Sequence, residues 1–326
     1  MRFTTKPQGV KLVRYLISAL ILLLFPAAVS AQIQITLKNT FIEKFKDRAT
    51  IDSTFTVDKA HKSPNPGSKD GDLHVAGRAP EIGLPTVSEI MNAKDEDAAV
   101  QTIHSAEQTH KSVKLSGAWR LWCEHGGESK QVQGAPLQPF NTTNPDHVFE
   151  IHPITSLDGK SITESLKPIA GFDTKDAETS FNSYENRKCQ LVSNGTKKTT
   201  TIITSMGGFN YVEFRIKLHS APFPVADGMM VFATVLKLRA PGDPANDAEE
   251  EDNAILVRNR RMVFVKGSAP EAAVKNLSKD AVLHVLGVPR ICLKLVSFRT
   301  QNTKKFPGIL DWNLPYEMLI VGVYDN

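Results

Sequence analysis

The feature that most constrains this chain is an order of short runs that occurs twice. In each half, stretches of alternating apolar and polar residues are broken by turn residues, with one helical interval at the same place. Ile51 to Val57 (IDSTFTV) alternates with the period of a half-buried strand. Residues 60–71 (AHKSPNPGSKDG) are dense in Pro, Gly, Ser and Asn and read as a loop. Leu73 and Val75 then alternate with Asp72 and His74, and Thr86 to Met91 makes a third strand. From Asp95 to His110 the period changes. Ala99, Ile103, Ala106 and His110 share one helical face, and Asp95, Glu96 and Asp97 sit in the first turn, where acids suit the helix dipole. Val113, Leu115, Gly117, Trp119 and Leu121 mark a fourth strand, residues 125–146 a long loop, and His147 to Ile154 a fifth strand.

The second half repeats the order. Strands are expected over Tyr211 to Leu218, Met229 to Leu238 and Ile255 to Val265, with an acidic loop at 240–253 that includes the EEED run at 249–252. Ser268-Ala269-Pro270-Glu271 has capping-box spacing and opens a short helix to about Leu277. A long strand over Leu283 to Phe298 and a last one over Tyr316 to Tyr324 complete the set. Three strands, a helix and two strands match the order of a five-stranded OB barrel, whose closure leaves little exposed edge. The expected fold is mainly β: two tandem OB-like five-stranded barrels, each with a helix between strands 3 and 4. The halves overlay loosely. VKLSGAWRLWCE (113–124) falls on LHVLGVPRICLK (283–294), matching Gly117 with Gly287 and Arg120 with Arg290, while Glu150 falls near Glu317.

Composition enters through the first 31 residues. Arg2, Lys6, Lys11 and Arg14 precede an apolar run from Tyr15 to Phe25, Pro26 breaks it, and Val29-Ser30-Ala31 supplies small residues. These are the three parts of a secretory signal, and the run is shorter than the roughly 20 residues that span a bilayer. The expectation is an exported chain, periplasmic or extracellular, with no transmembrane helix after cleavage. The leader holds four of the 39 basic residues and no acid, so the remainder carries 35 of each sign. A global electrostatic pull toward nucleic acid is thereby unsupported. The expected organisation is signal 1–31, OB-like domain 32–158, a bridging segment 159–208 and a second OB-like domain 209–326. In the bridge, Asp176 to Tyr184 reads as a helix. Lys188–Val192 and Lys198–Thr204 flank the turn Ser193-Asn194-Gly195, a hairpin that either bridges the barrels or extends the second one. Cys123, Cys189 and Cys292 are an odd set with no metal-binding spacing and read as buried thiols.

The densest polar set lies in the first barrel. Asp70, Asp72 and His74 enter the second strand, Glu124 and His125 end the fourth, and Asp146, His147, Glu150 and His152 run through the fifth. Loops before strands two and five border the usual OB ligand face, so Asp70, His125 and His147 are the candidate ligands of a divalent metal. Such an ion with an open position would activate water, giving a metal-dependent hydrolase of phosphodiesters as the alternative function. Against that stand solvated strand faces whose acids and histidines pair with one another. Asp72, His74, Arg120, Trp122, Glu150 and His152 are the candidate ligand-binding residues. Strand parity puts Trp119 in the core and Trp122 on the outer face with Lys114, Ser116 and Arg120. There Trp122 either stacks on a ligand ring or buries itself against the bridge or second barrel. No G-x-S-x-G, phosphate loop, HxH or HExxH is present, and no catalytic residue is assigned.

At DGDLH (70–74), EI (89–90), VKLSGAW (113–119) and NPDHVFEIHP (144–153) the chain resembles a loose group of exported bacterial proteins of uncharacterised function that are OB-like. The resemblance spans about residues 50–155. It implies an exported OB-like domain and no particular activity. The reading that emerges is an exported binding module for an oligomeric ligand or an envelope protein partner, with no cofactor unless the Asp/His set takes a divalent ion.

Overall fold

The computed structural model describes residue 1 and residues 32–127, 130–238, 254–302 and 312–325. Residues 2–31, on which the expected signal falls, the expected acidic loop at 240–253 and its EEED run lie outside the described residues. In chain order the elements are β1 (Gln32–Lys38), α1 (Asn39–Phe45), β2 (Thr50–Ala60), β3 (Leu73–Arg78), β4 (Thr86–Ile90), α2 (Asp97–Thr109), β5 (Ser112–Leu121), β6 (Lys130–Val132), β7 (Phe149–Leu157) and β8 (Lys160–Ser161). They continue with α3 (Ala177–Asn186), β9 (Lys188–Asn194), β10 (Thr199–Ser205), β11 (Val212–Leu218), β12 (Phe223–Val225), β13 (Gly228–Leu236), β14 (Ile255–Val265), α4 (Ala269–Val274), β15 (Val282–Ile291), α5 (Leu293–Gln301), β16 (Trp312–Asn313) and β17 (Tyr316–Val323).

Barrel 1 runs β4-β3-β2-β5-β7 and closes through a parallel β4–β7 pairing. Barrel 2 runs β11-β15-β17-β14-β13 and closes through β11–β13, with β14 and β17 parallel. Numbered within each barrel, both orders read 1-2-3-5-4-1, the Greek-key closure of an OB barrel. α2 and α4 fall between strands 3 and 4 of their barrels, as the sequence predicts. α4 is capped as its spacing implies: Ser268 Oγ accepts from Glu271 N, and Glu271 Oε2 accepts from Gly267 N. Inward alternation drives closure. Val212, Phe214, Ile216 and Leu218 of β11 are fully buried while Glu213, Arg215 and Lys217 between them are not. Each such side chain contributes about 1.5–3 kcal/mol of burial.

The long strand expected over Leu283 to Phe298 is corrected. β15 ends at Ile291, and α5 follows with Leu293, Val296 and Ser297 buried at i, i+3, i+4. Helical spacing was present beneath an apolar run that also fitted a strand. In α2, Ala99, Ile103 and Ala106 are buried as expected, but His110 is exposed and left-handed at the C-cap.

The 188–205 hairpin forms as predicted. It lies between segments of both halves, β9 pairing with β16 and β10 with β1, and it adds no strand to either barrel. β10 pairs antiparallel with β1, and the two sit in a separate sheet ordered β16-β9-β10-β1-β6. Ile33, Ile35, Leu37 and Ile202 of this sheet join the same apolar cluster as the barrel interiors. No described helix is long and apolar enough to cross a membrane.

The barrels meet back to back. A second apolar cluster lies between them, holding Ala118 from β5, Leu286 and Val288 from β15, Leu319 and Val321 from β17, Leu166 and Ile169 from the bridge, and Tyr211 just before β11. The outer face of β5 is thus divided. Lys114 and Ser116 stay open, while Ala118, Arg120 and Trp122 lie under other parts of the chain.

Candidate functional site

Two buried arginines lock the seam, and they do so reciprocally. Arg120 sits opposite Glu150 across β5–β7, and Arg290 opposite Glu317 across β15–β17. Each pairs with its glutamate: Arg120 Nη1 with Glu150 Oε2, and Arg290 Nε with Glu317 Oε1 at 2.7 Å. Each also reaches into the other barrel. Arg120 Nε donates to Pro289 O at 3.0 Å, and Arg290 Nη1 donates to Trp119 O at 3.0 Å, in both cases the residue preceding the opposite arginine. Arg290 also donates to Ala49 O and Arg48 O, and its guanidinium lies 3.6 Å over the Trp119 ring. A second exchange follows the same plan. The Tyr211 hydroxyl, just before β11, donates to Asp72 Oδ2, just before β3, at 2.7 Å. Asp227, just before β13, accepts from Ala49 N and Thr50 N at the start of β2.

On the barrel 1 side of this seam a line of ionisable groups runs along the outer faces of β3, β4, β7 and β5. His74 Nε2 lies 3.7 Å from Asp70 Oδ2 and 3.8 Å from Glu89 Oε2. Glu89 Oε2 is 3.3 Å from His152 Nδ1, and Glu150 Oε2 is 3.4 Å from the same nitrogen. The other His152 nitrogen, Nε2, is 2.6 Å from the Tyr211 hydroxyl. Glu150 Oε1 lies 3.3 Å from His147 Nε2, and Arg120 Nη2 donates to Glu124 Oε2 at 2.8 Å. Asp72, Arg120 and His152 have no solvent exposure, and Glu89, Glu150 and His147 nearly none.

Burial sets the baseline for these groups, and neighbours decide the outcome. Burial pushes the Asp72 carboxyl up to about 7 against the pull of His152. Burial would lower the His152 imidazole, but the Glu89 carboxylate, with Asp72 and Glu150, holds it well above the usual range. Burial would raise Glu150, but Arg120 and the two histidines hold it well below. His74 is pushed up to about 9, because Glu89 and Asp70 outweigh its burial. The costs of burying these charges are met by mutual pairing.

The predicted residues are therefore distributed as follows. Asp72, Glu150, His152 and Arg120 come together, with His74 at the edge. The predicted metal trio does not assemble. Asp70 turns back on its own loop, accepting from Asn65 Nδ2 and Asp72 N, and faces His74. His125 and His147 stack at 5.1 Å at the Glu124–Glu150 end of the line. Of the two readings of Trp122, burial holds. It is 2 % exposed and meets Tyr184 of α3 edge-on at 5.5 Å, so it presents no ring to a ligand. Arg120 and Trp122 do lie on the outer face of barrel 1, as parity requires, but other parts of the chain occupy that face.

Sequence reasoning missed Glu89 and Tyr211. Glu89 belongs to a strand buried at all five positions, and a glutamate in the run TVSEI was the available signal. Asp72, Glu89 and His152 each offer a donor atom, and these atoms lie within 4.8 Å of one another, a buried group suited to hold a metal ion. Asp72 Oδ1 and Glu89 Oε2 accept no hydrogen bond. Together the fold and the seam define a double OB-like barrel with a polar joint. No protein-family model matches the chain, and no curated protein matches it.

Proposed function

We propose that this chain is an exported binding module in which two OB-like barrels are clamped into one body and an oligomeric ligand lies along the open part of barrel 1. One observation carries the reading. Where the outer face of β5 emerges from the seam, a cleft of about 340 Å³ opens, lined by Asp52, Thr54, Glu81, Lys114 and Ser116. Glu81 is shared with a second cleft of about 240 Å³, which Lys38, Phe41, Lys44 and Gln133 help to line. The two form a trough of charged and hydroxyl groups with one aromatic, the mixture that fixes orientation while leaving room for a repeating polar ligand.

The hydrolytic alternative is less well supported. A metal-activated water needs an open coordination position that substrate can reach. The Asp72, Glu89 and His152 side chains are sealed by Tyr211 and the bridge, so an ion held there serves the joint. The test is a screen of glycan and peptide oligomers against the purified protein, repeated with Ser116→Trp, which fills the first cleft. Binding is expected to fall at least tenfold in the variant. Undiminished binding would remove the trough as the site, and absence of any oligomer binding would remove the reading.

A further inference from the structure

We propose that Asp72, Glu89 and His152 form a binding site for one zinc-class divalent ion, which Tyr211 ties to barrel 2, so that the ion staples the barrel joint. The inference rests on reading the seam as a closed joint, and it is tested by metal content, which does not depend on any ligand of the trough.

The argument begins with the single hydroxyl proton of Tyr211. It goes to Asp72 Oδ2 at 2.7 Å. Tyr211 oxygen must then accept from His152 Nε2, 2.6 Å away, so Nε2 carries a proton. The remaining nitrogen, Nδ1, faces Glu89 Oε2 at 3.3 Å and Glu150 Oε2 at 3.4 Å. A bare nitrogen lone pair against two carboxylate oxygens is repulsive, so a cation belongs between them. If that cation were only a proton, charge-assisted hydrogen bonds of about 2.7–2.9 Å would be expected. Both separations are longer: Nδ1 keeps one long hydrogen bond, to Glu150 Oε2 at 3.4 Å, and Glu89 Oε2 accepts none. The 3.3 Å from His152 Nδ1 to Glu89 Oε2 matches the edge of a tetrahedral site, which is about 3.3–3.4 Å for metal–ligand bonds of about 2.0–2.1 Å, and Asp72 offers a donor atom within 4.8 Å of the other two.

The donors select the class of ion. One imidazole with two carboxylates suits zinc and its first-row neighbours. Calcium takes six to eight oxygens at longer range, which this group does not supply. The outer contacts fit as well. A ligating histidine usually donates its second N–H to an oxygen that fixes the ring, and here Tyr211 receives it and passes its own proton to Asp72. Tyr211 is 2 % exposed and precedes the first strand of barrel 2. On binding, the ion takes the Nδ1 lone pair and any Nδ1 proton leaves to water.

The test is refolding of the purified protein from metal-free urea, followed by titration with zinc and with cobalt. The expected result is one ion per chain, with the visible absorption of four-coordinate cobalt in the parent protein. Glu89→Gln is expected to abolish the signal, and Tyr211→Phe to weaken binding about 10–100-fold. His125→Gln is expected to leave both unchanged. Because Glu89→Gln could fail to fold, the parent's stoichiometry and cobalt spectrum and the Tyr211→Phe affinity stand as independent readouts. No bound ion in the parent, or binding lost in His125→Gln and kept in Glu89→Gln, would overturn the site.

Discussion

Barrel 1 and barrel 2 share a strand order and a buried cross-strand arginine–glutamate pair, but they line their joint with opposite materials. Counting along the registers from Glu150 and Glu317, barrel 1 places His74, Glu89 and His152 where barrel 2 places Met230, Val263 and Leu319. The three barrel 2 residues are fully buried in the apolar cluster of the seam. The charge balance is inverted too. Arg120 serves both Glu150 and Glu124, whereas Glu317 serves both Arg290 and Arg261. Its carboxylates raise Arg120 despite burial, while burial, with Arg261 nearby, lowers Arg290 against the pull of its one carboxylate. Barrel 2 therefore demonstrates that this architecture closes a seam well with methionine, valine and leucine. Buried charge is costly when an apolar alternative exists, so the polar set in barrel 1 serves something other than packing.

The largest effect should come from breaking what the barrels share. Arg290→Met removes the side-chain donor to the carbonyls of Ala49 and Trp119 and one of two such donors to that of Arg48, which keeps the Trp119 indole N–H, and Arg120→Met removes the donor to Pro289 O. Each is expected to lose about 3–5 kcal/mol in urea unfolding. A loss below about 1 kcal/mol in either would mean the seam is held by its apolar contacts alone. Next come the matched glycines. A Cβ on Gly117 would lie 2.3 Å from Ile151 Cγ2 and 2.6 Å from Pro153 O, whereas one on Gly287 would lie 3.0 Å from Phe214 Cε1. Gly117→Ala is expected to cost about 3 kcal/mol and Gly287→Ala about 1; equal costs would make the two fourth strands interchangeable. Replacing the polar set by its counterparts, His74→Met with Glu89→Val and His152→Leu, should leave metal-free stability unchanged or raise it by about 1–2 kcal/mol. An unfolded triple variant would show that barrel 1 needs its charges to fold. Trp122→Phe should be the mildest change, below about 1 kcal/mol. The indole N–H it removes is buried without an acceptor, which offsets the lost contact area.

Much of the barrel architecture was legible because a closed β-sheet prints its period on the sequence. The strands of barrel 1 appear where alternation puts them, and the overlay of Arg120 on Arg290 and Glu150 on Glu317 corresponds to matching registers. Parity placed Arg120 and Trp122 on the outside of barrel 1. It carried no information on what covers that outside, and so the candidate ligand face became the joint. Glu89 was picked out only within the EI pair of the resemblance and not as a site residue, because a fully buried strand has no alternation to violate. Tyr211 escaped because its role depends on Asp72 and His152, both far away in sequence. The third sheet was illegible for a related reason: period identifies strands but does not say which distant strand is the partner.

That third sheet has a consequence for how the chain assembles. β1 opens the described fold at Gln32, yet its antiparallel neighbour is β10, and Gln32 pairs with Ser205. During vectorial emergence, β1 would leave the ribosome or a translocation pore early and wait for some 170 residues to follow before its edge could be satisfied. Non-local pairing of this kind is slow and leaves a strand edge open to foreign chains. The earliest described strand thus keeps that edge open until all of barrel 1 has been synthesised, a stretch over which a holding chaperone would shield it.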